Sequence, residues 1–251
     1  MIPIKNGMEI EGMRVAGRAA AAVLEKLARL VSPGITTKEI DVAAADYMSE
    51  EGCRSAFLGY RGFPANACIS VNEEVVHGIG GHRRLQVGDL VKIDVGVVKG
   101  GWIGDNARTV AVGGASIGAA RLMEVTLEAL RRGVAEARAG NRLGDISSAI
   151  QAHVEMNGFS VVREFVGHGV GRKLHEEPQV PNFGKAGTGP KLKPGMTLAI
   201  EPMVNAGRAS VKVLGDEWTV VTADGSLSAH FEHTVLVARD EPEVLTRLGE
   251  S

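Results

Sequence analysis

LVKIDVGVVKGGWIGD, residues 90–105, is the stretch that decides the fold. Val91, Ile93, Val95 and Val97 recur at period two, which predicts a β-strand with one continuous apolar face. Lys99–Gly100–Gly101 then supplies the left-handed backbone conformations that a tight hairpin needs. With the turn centred on Lys99–Gly100, Asp94 stands opposite Asp105 on the returning strand. Directly opposed side chains have Cβ atoms roughly 5 Å apart. Two carboxylates that close repel each other. Either one carries a proton, as in an acid/base dyad, or a cation lies between them. A loop of odd length would instead turn one of the two to solvent.

The chain around this hairpin has 251 residues, of which 44% are hydrophobic and 23% charged. That suits a globular protein with one sizeable core or two smaller ones. A net charge of -2 gives no bulk attraction to nucleic acid or to an anionic membrane. Neither is expected as a partner. Cys53 and Cys68 are too few for a disulfide framework and form no Cys-x-x-Cys pair, so a reducing cytoplasm is expected. The opening MIPIKNGMEIEGMRV contains no apolar leader segment, and no run is long enough to span a membrane.

From the N-terminus, Asn6 and Glu9 form a capping pair ahead of helical spacing through Ile10, Met13, Val23, Leu24, Leu27 and Leu30. Pro33–Gly34 stops that helix, and Thr36-x-x-Glu39 opens a second, ending at Gly52. After short strands and turns comes the hairpin, whose second strand continues through Thr109–Val112. From Ser116 the same programme returns: one helix ends near Gly140 and another at Gly158. Gly34/Gly140, Ile40/Ile146 and Gly52/Gly158 share an offset of 106, and LQVGDLVKIDVGV (85–97) matches LKPGMTLAIEPMV (192–204) at 107. The chain therefore reads as one domain, 1–251, built from two repeats, 6–112 and 116–238.

The repeat sets Glu201 against Asp94, His168 against His77, and Glu232 of FEHTVLV against Asp105. If the halves pack about a pseudo-two-fold axis, their acidic strands meet. Asp94, Asp105, Glu201, Glu232 and His168 then share one pocket. Four carboxylates are too costly to bury together without cations. A mostly oxygen ligand set with one imidazole suits Co2+, Mn2+, Fe2+ or catalytic Zn2+ and differs from a structural zinc site. Two such ions polarise a carbonyl and generate a bridging hydroxide for hydrolysis. His77 and His175 lie near repeat landmarks and are read as donors to substrate or to a developing oxyanion. His82, His153, His230 and His233 are read as structural, although the last two flank Glu232. The first half also carries some fifteen additional residues before its histidine (77 − 52 = 25 against 168 − 158 = 10). They include Phe57, Tyr60, Phe63 and Cys68, either a pocket for an apolar substrate group or a local satellite core.

Taken together, Asp94 with Asp105, GHGVG around His168, HEEPQV from His175, IEPMV around Glu201 and FEHT around Glu232 resemble type I methionine aminopeptidases over nearly the whole chain. The resemblance implies the α/β "pita-bread" fold, a duplicated unit with a central antiparallel sheet and flanking helices. It implies two divalent metals on Asp94, Asp105, His168, Glu201 and Glu232, with Glu201 also catalytic and a bridging hydroxide attacking the methionine carbonyl. His77 and His175 would contact the scissile peptide. Tyr60, Phe63, Cys68 and Trp218 would line the methionine pocket, with Phe57 and Leu174 nearby. The implied substrates are nascent polypeptide N-termini with a small second residue, met at the ribosome by a cytoplasmic monomer. Some positions depart from the family pattern: Val76 where a cysteine often precedes the histidine, Leu174 where an aromatic often precedes HEEP, and Gly96 and Asn106 in place of hydroxyl residues beside the two Asp. X-Pro aminopeptidases and prolidases share the ligand set but usually carry an additional N-terminal domain. Type II relatives place a long insertion between the two glutamates, where this chain has 30 residues. A non-catalytic relative using the fold as a binding module is the alternative of a different class.

Overall fold

A computed structural model describes residues 1–248. Helix α1, Gly7–Leu30, begins where expected: the Asn6 side chain accepts from the Met8 and Glu9 amides, and Glu9 reaches back to the Asn6 amide. Helix α2, Thr37–Glu50, uses Thr36 and Glu39 in the same way. Satisfying the orphan amides of a first turn is worth about 1 kcal/mol per cap, so both starts are locally encoded. In the second half, Ser116 caps α3, Ile117–Glu136, and α4 runs over Leu143–Met156. Helix α3 stops short of Gly140, because the Ala139 and Gly140 amides donate instead to Ala238 and Leu192 carbonyls. Tertiary pairing overrides the local stop signal there.

A mainly antiparallel sheet joins the halves. Its order is Arg54–Ser55, Leu90–Lys99, Trp102–Ala111, Glu232–Leu236, Thr197–Ile200, Gly167–Gly169, Glu176–Val180. Cys68–Val71 also pairs with Leu90–Lys99, and Glu243–Val244 with Glu232–Leu236. The hairpin register corrects the expected one. Lys99 pairs with Trp102, so the turn is Gly100–Gly101, both left-handed at φ 59° and 79°. Asp94 then faces Ala107, and Asp105 faces Gly96. A two-glycine turn wins because both central positions can take positive φ, whereas Lys99 would take it only under strain. The register differs from the expected one by two residues, so side-chain parity survives. Asp94 and Asp105 remain on one face, as diagonal neighbours.

The opposite face is apolar. Val91, Ile93, Val95 and Val97 pack with Leu24, Leu27 and Ile40 of the first helix pair. In the second half Leu198 and Ile200 pack with Leu122, Leu130, Ile146 and Ile150. Each such side chain contributes about 1.5–3 kcal/mol on burial. Helix α1 comes so close to the sheet that a Cβ on Gly104 would strike the Ala16 carbonyl. With both helix pairs on one side, the carboxylate face is left to line a cavity. Among the described residues, no helix is long and apolar enough to cross a membrane.

Candidate active site

Five elements bring the acidic and imidazole groups together. Asp94 lies mid-strand in Leu90–Lys99, across from Cys68. Asp105 is held through its backbone: its amide donates to Thr234 Oγ1 at 3.1 Å, and that hydroxyl donates to its carbonyl at 2.8 Å. Glu232 begins the neighbouring strand, paired with Ala107. His168 Nδ1 lies 2.9 Å from the Gly169 carbonyl. A carbonyl can only accept, so Nδ1 carries the proton and Nε2 presents its lone pair to the cluster. Nε2 is 3.5 Å from Glu201 Oε1 and 3.7 Å from Asp105 Oδ2. Ligand atoms of Asp105, His168 and Glu232 all lie within 4.8 Å of one another. Glu201 adjoins this group through His168. Asp94 adjoins it as the diagonal neighbour of Asp105.

The electrostatics show what such a cluster requires. Asp105 and Glu232 are only 3% and 2% exposed, and His168 is 8% exposed. Burial first, then mutual repulsion, pushes the Asp105, Glu201 and Glu232 carboxyls well above the ordinary range, and burial raises Asp94 as well. Burial, and then the nearby His175, lowers His168 to about 3. Among the described residues, Asp94 Oδ1, Asp105 Oδ1 and Glu232 Oε1 are buried without a hydrogen-bond partner, and no Lys or Arg pairs with the four carboxylates. Buried anions without partners are unstable unless cations compensate them. The donor set fits hard or borderline divalent ions.

These groups form the closed end of a cavity of about 820 Å³, the size of a small-ligand site. Every expected site residue lines it: His77, Asp94, Asp105, His168, His175, Glu201, Glu232, and Phe57, Tyr60, Phe63, Cys68, Leu174 and Trp218. Phe63 meets Trp218 edge-on at 5.1 Å and Phe57 at 6.5 Å, an aromatic wall adjoining the carboxylates. Cys68, opposite Asp94, has its thiol raised first by burial and then by that carboxylate, so it is an inert apolar surface. The His175 ring is exposed at the mouth, 2.7 Å from the Tyr60 hydroxyl at Nδ1. Partial burial and Arg61 lower its pKa. Glu176 anchors the loop that carries His175, accepting from Lys5 at 2.7 Å and from the Arg172 and Lys173 amides. His77 is a non-glycine residue at φ 60°, with its ring against Phe165 and Trp218. Such backbone strain persists only where the surroundings impose it.

The departures from the family pattern have structural counterparts. The Phe57 ring occupies the volume that a Cβ on Gly96 would fill. Asn106 is buried, with its carbonyl oxygen unpartnered among the described residues. Met1, Pro3 and Phe165 also line the cavity, and no pattern in the sequence marks them; Met203, inside the IEPMV string, lines it too. The sequence alone suggests a structural role for His230; the structure sets its ring beside Glu201, with Nε2 3.8 Å from Oε2. His233 keeps a packing role, with Nδ1 3.0 Å from Thr246 Oγ1.

The raised carboxyl pKa values give a pH prediction. Without metal, the folded protein holds protons that the unfolded chain releases in the ordinary carboxylate range. The cluster's contribution to stability is therefore lost as pH rises above that range. Cations displace those protons, so affinity should rise with pH. His168, lowered to about 3, is already neutral in the folded protein between about pH 6 and about pH 8 and so adds no proton release on metal binding. Calorimetric titration of Mn2+ into chelator-treated protein, in buffers of different ionisation enthalpy, should show proton release and tighter binding at about pH 8 than at about pH 6. Binding that is independent of pH would contradict this.

The model of Metallopeptidase family M24 matches residues 11–239. A methionine aminopeptidase from Clostridium perfringens is 53% identical to this chain over 246 residues, covering 98% of it and 99% of the relative. The crystal structure of methionine aminopeptidase from Thermotoga maritima superposes with a TM-score of 0.97 at 46% identity, covering 99% of this chain and 100% of that one. The prolidase from Pyrococcus furiosus shares the fold at a TM-score of 0.79 and 24% identity, with 98% of this chain matching 66% of that one.

Proposed function

This chain belongs to metallopeptidase family M24, and from that premise we propose that it is an aminopeptidase removing methionine from the N-termini of nascent proteins. The observation that carries the reading is the buried carboxylate–imidazole cluster at the closed end of an aromatic-walled cavity. Asp94, Asp105, His168, Glu201 and Glu232 would hold two divalent ions. When bound, these supply Lewis-acid activation of the carbonyl and of the attacking water. Glu201 takes the proton of that water on its carboxylate. With the Tyr60 hydroxyl donating to Nδ1, His175 carries its proton on Nε2 and offers it to the developing oxyanion. His77, fixed between Phe165 and Trp218, orients the scissile peptide. The acidic closed end receives the free α-ammonium group. Phe63, Tyr60, Trp218 and Cys68, with Phe57 and Leu174 nearby, wall the slot for the methionine side chain. The halves 6–112 and 116–238 act as one catalytic unit, a cytoplasmic monomer meeting its substrates as they leave the ribosome.

The slot suits a long, unbranched, polarizable side chain. Apolar pockets discriminate by only about 1–3 kcal/mol per methylene. Norleucine-Ala-Ser should therefore be cleaved within roughly an order of magnitude of Met-Ala-Ser, with Val-Ala-Ser far slower and N-acetyl-Met-Ala-Ser inert. Efficient cleavage of either of the last two would refute the methionine reading. Release only of residues preceding proline would place the chain in the X-Pro branch, with which the prolidase likeness shows a shared fold.

A further inference from the structure

His230 is a second imidazole beside Glu201, and no step above uses it. It ends the strand Ser228–His230 and is 1% exposed. Thr109 clamps its backbone from both sides: the His230 amide donates to Thr109 Oγ1 at 2.9 Å, and that hydroxyl donates to the His230 carbonyl at 2.7 Å. The ring is therefore placed by the sheet, not by its own contacts. Among the described residues neither ring nitrogen has a hydrogen-bond partner. A buried polar group left that way is costly and needs a reason. Nε2 points at Glu201, 3.8 Å from Oε2, while His168 Nε2 stands 3.5 Å from Oε1. Glu201 thus lies between two imidazoles, one at each oxygen. Contacts of this kind are commonly long until a site is loaded.

We propose that His230 is a positioning residue for Glu201: its Nε2–H donates to Oε2 and fixes the rotation of the carboxylate, so that Oε1 is presented on the His168 side. The proposal rests on the reading of Glu201 as a metal ligand. An imidazole carries at least one N–H in either protonation state, so the ring always has a hydrogen to donate. Outer partners that orient a ligating carboxylate typically carry 10- to 100-fold in metal affinity or activity.

The test compares His230→Leu and His230→Gln with the parent enzyme. Mn2+ is titrated into chelator-treated protein by calorimetry, and kcat and KM are measured on Met-Ala-Ser. His230→Leu removes the donor and should weaken one Mn2+ site by roughly 10- to 100-fold. It should lower kcat and leave KM nearly unchanged, because the ring is not part of the cavity wall. His230→Gln keeps an N–H of similar reach and should restore most of both. The metal-free Leu variant should melt no lower than the parent, which separates loss of positioning from loss of fold. Parent-like Mn2+ binding and kcat in the Leu variant would overturn the proposal. So would a Gln variant as impaired as Leu, since the imidazole itself would then be the ligand. A parent protein that binds no Mn2+ would instead remove the ligand assignment on which this role depends.

Discussion

Asp105→Ala is expected to abolish peptide hydrolysis, with kcat lower by more than about a thousand-fold, about 4 kcal/mol of transition-state stabilisation. Asp105 is 3% exposed, shares the tight ligand group with His168 and Glu232, and carries a buried oxygen with no partner among the described residues. Its backbone is held by Thr234 independently of the carboxylate, so the strand register should survive the change. The same substitution should raise the melting temperature of the chelator-treated protein, because it deletes one of four mutually repelling acids. Calorimetry with and without chelator reads both effects. Metal should stabilise the parent strongly and the variant little. Near-parent turnover, or an unchanged response to metal, would refute the dinuclear reading.

The second large effect belongs to His175→Ala. Removing one donor to a developing oxyanion typically costs about 10²- to 10³-fold in kcat, and that range is expected here with bound metal unchanged by elemental analysis. The residue stands at the mouth, outside the ligand group, and its ring is oriented by Tyr60. Tyr60→Phe should therefore give a smaller loss of the same kind, about ten-fold, the equivalent of one neutral hydrogen bond. Neither change should alter the Mn2+ titration. Loss of metal in step with activity in His175→Ala would make His175 a ligand and return His168 to an orienting role.

The hairpin stretch marked the site because its chemistry is local. Alternation put Asp94 on the face opposite Val91, Ile93 and Val95, and no later packing could change that parity. Caps at Asn6, Thr36 and Ser116 set helix starts for the same reason: each satisfies amides within three residues of itself. The identities of the remaining cluster members were legible from the matching strings of the two halves, which place Glu201 and Glu232 on strand positions without stating how near they come.

By itself, then, the sequence determined which residues alternate, where helices begin and which acids share a face. Only the tertiary structure decided the turn at Gly100–Gly101, the seating of Phe57 over Gly96, the 2.7 Å pair of Lys5 with Glu176 across 171 positions, and the approach of His230 to Glu201. Periodicity and capping act over one or two turns of chain. Contacts between strands depend on sheet order, on small residues that let backbones close in, and on which buried polar groups must share one desolvated space.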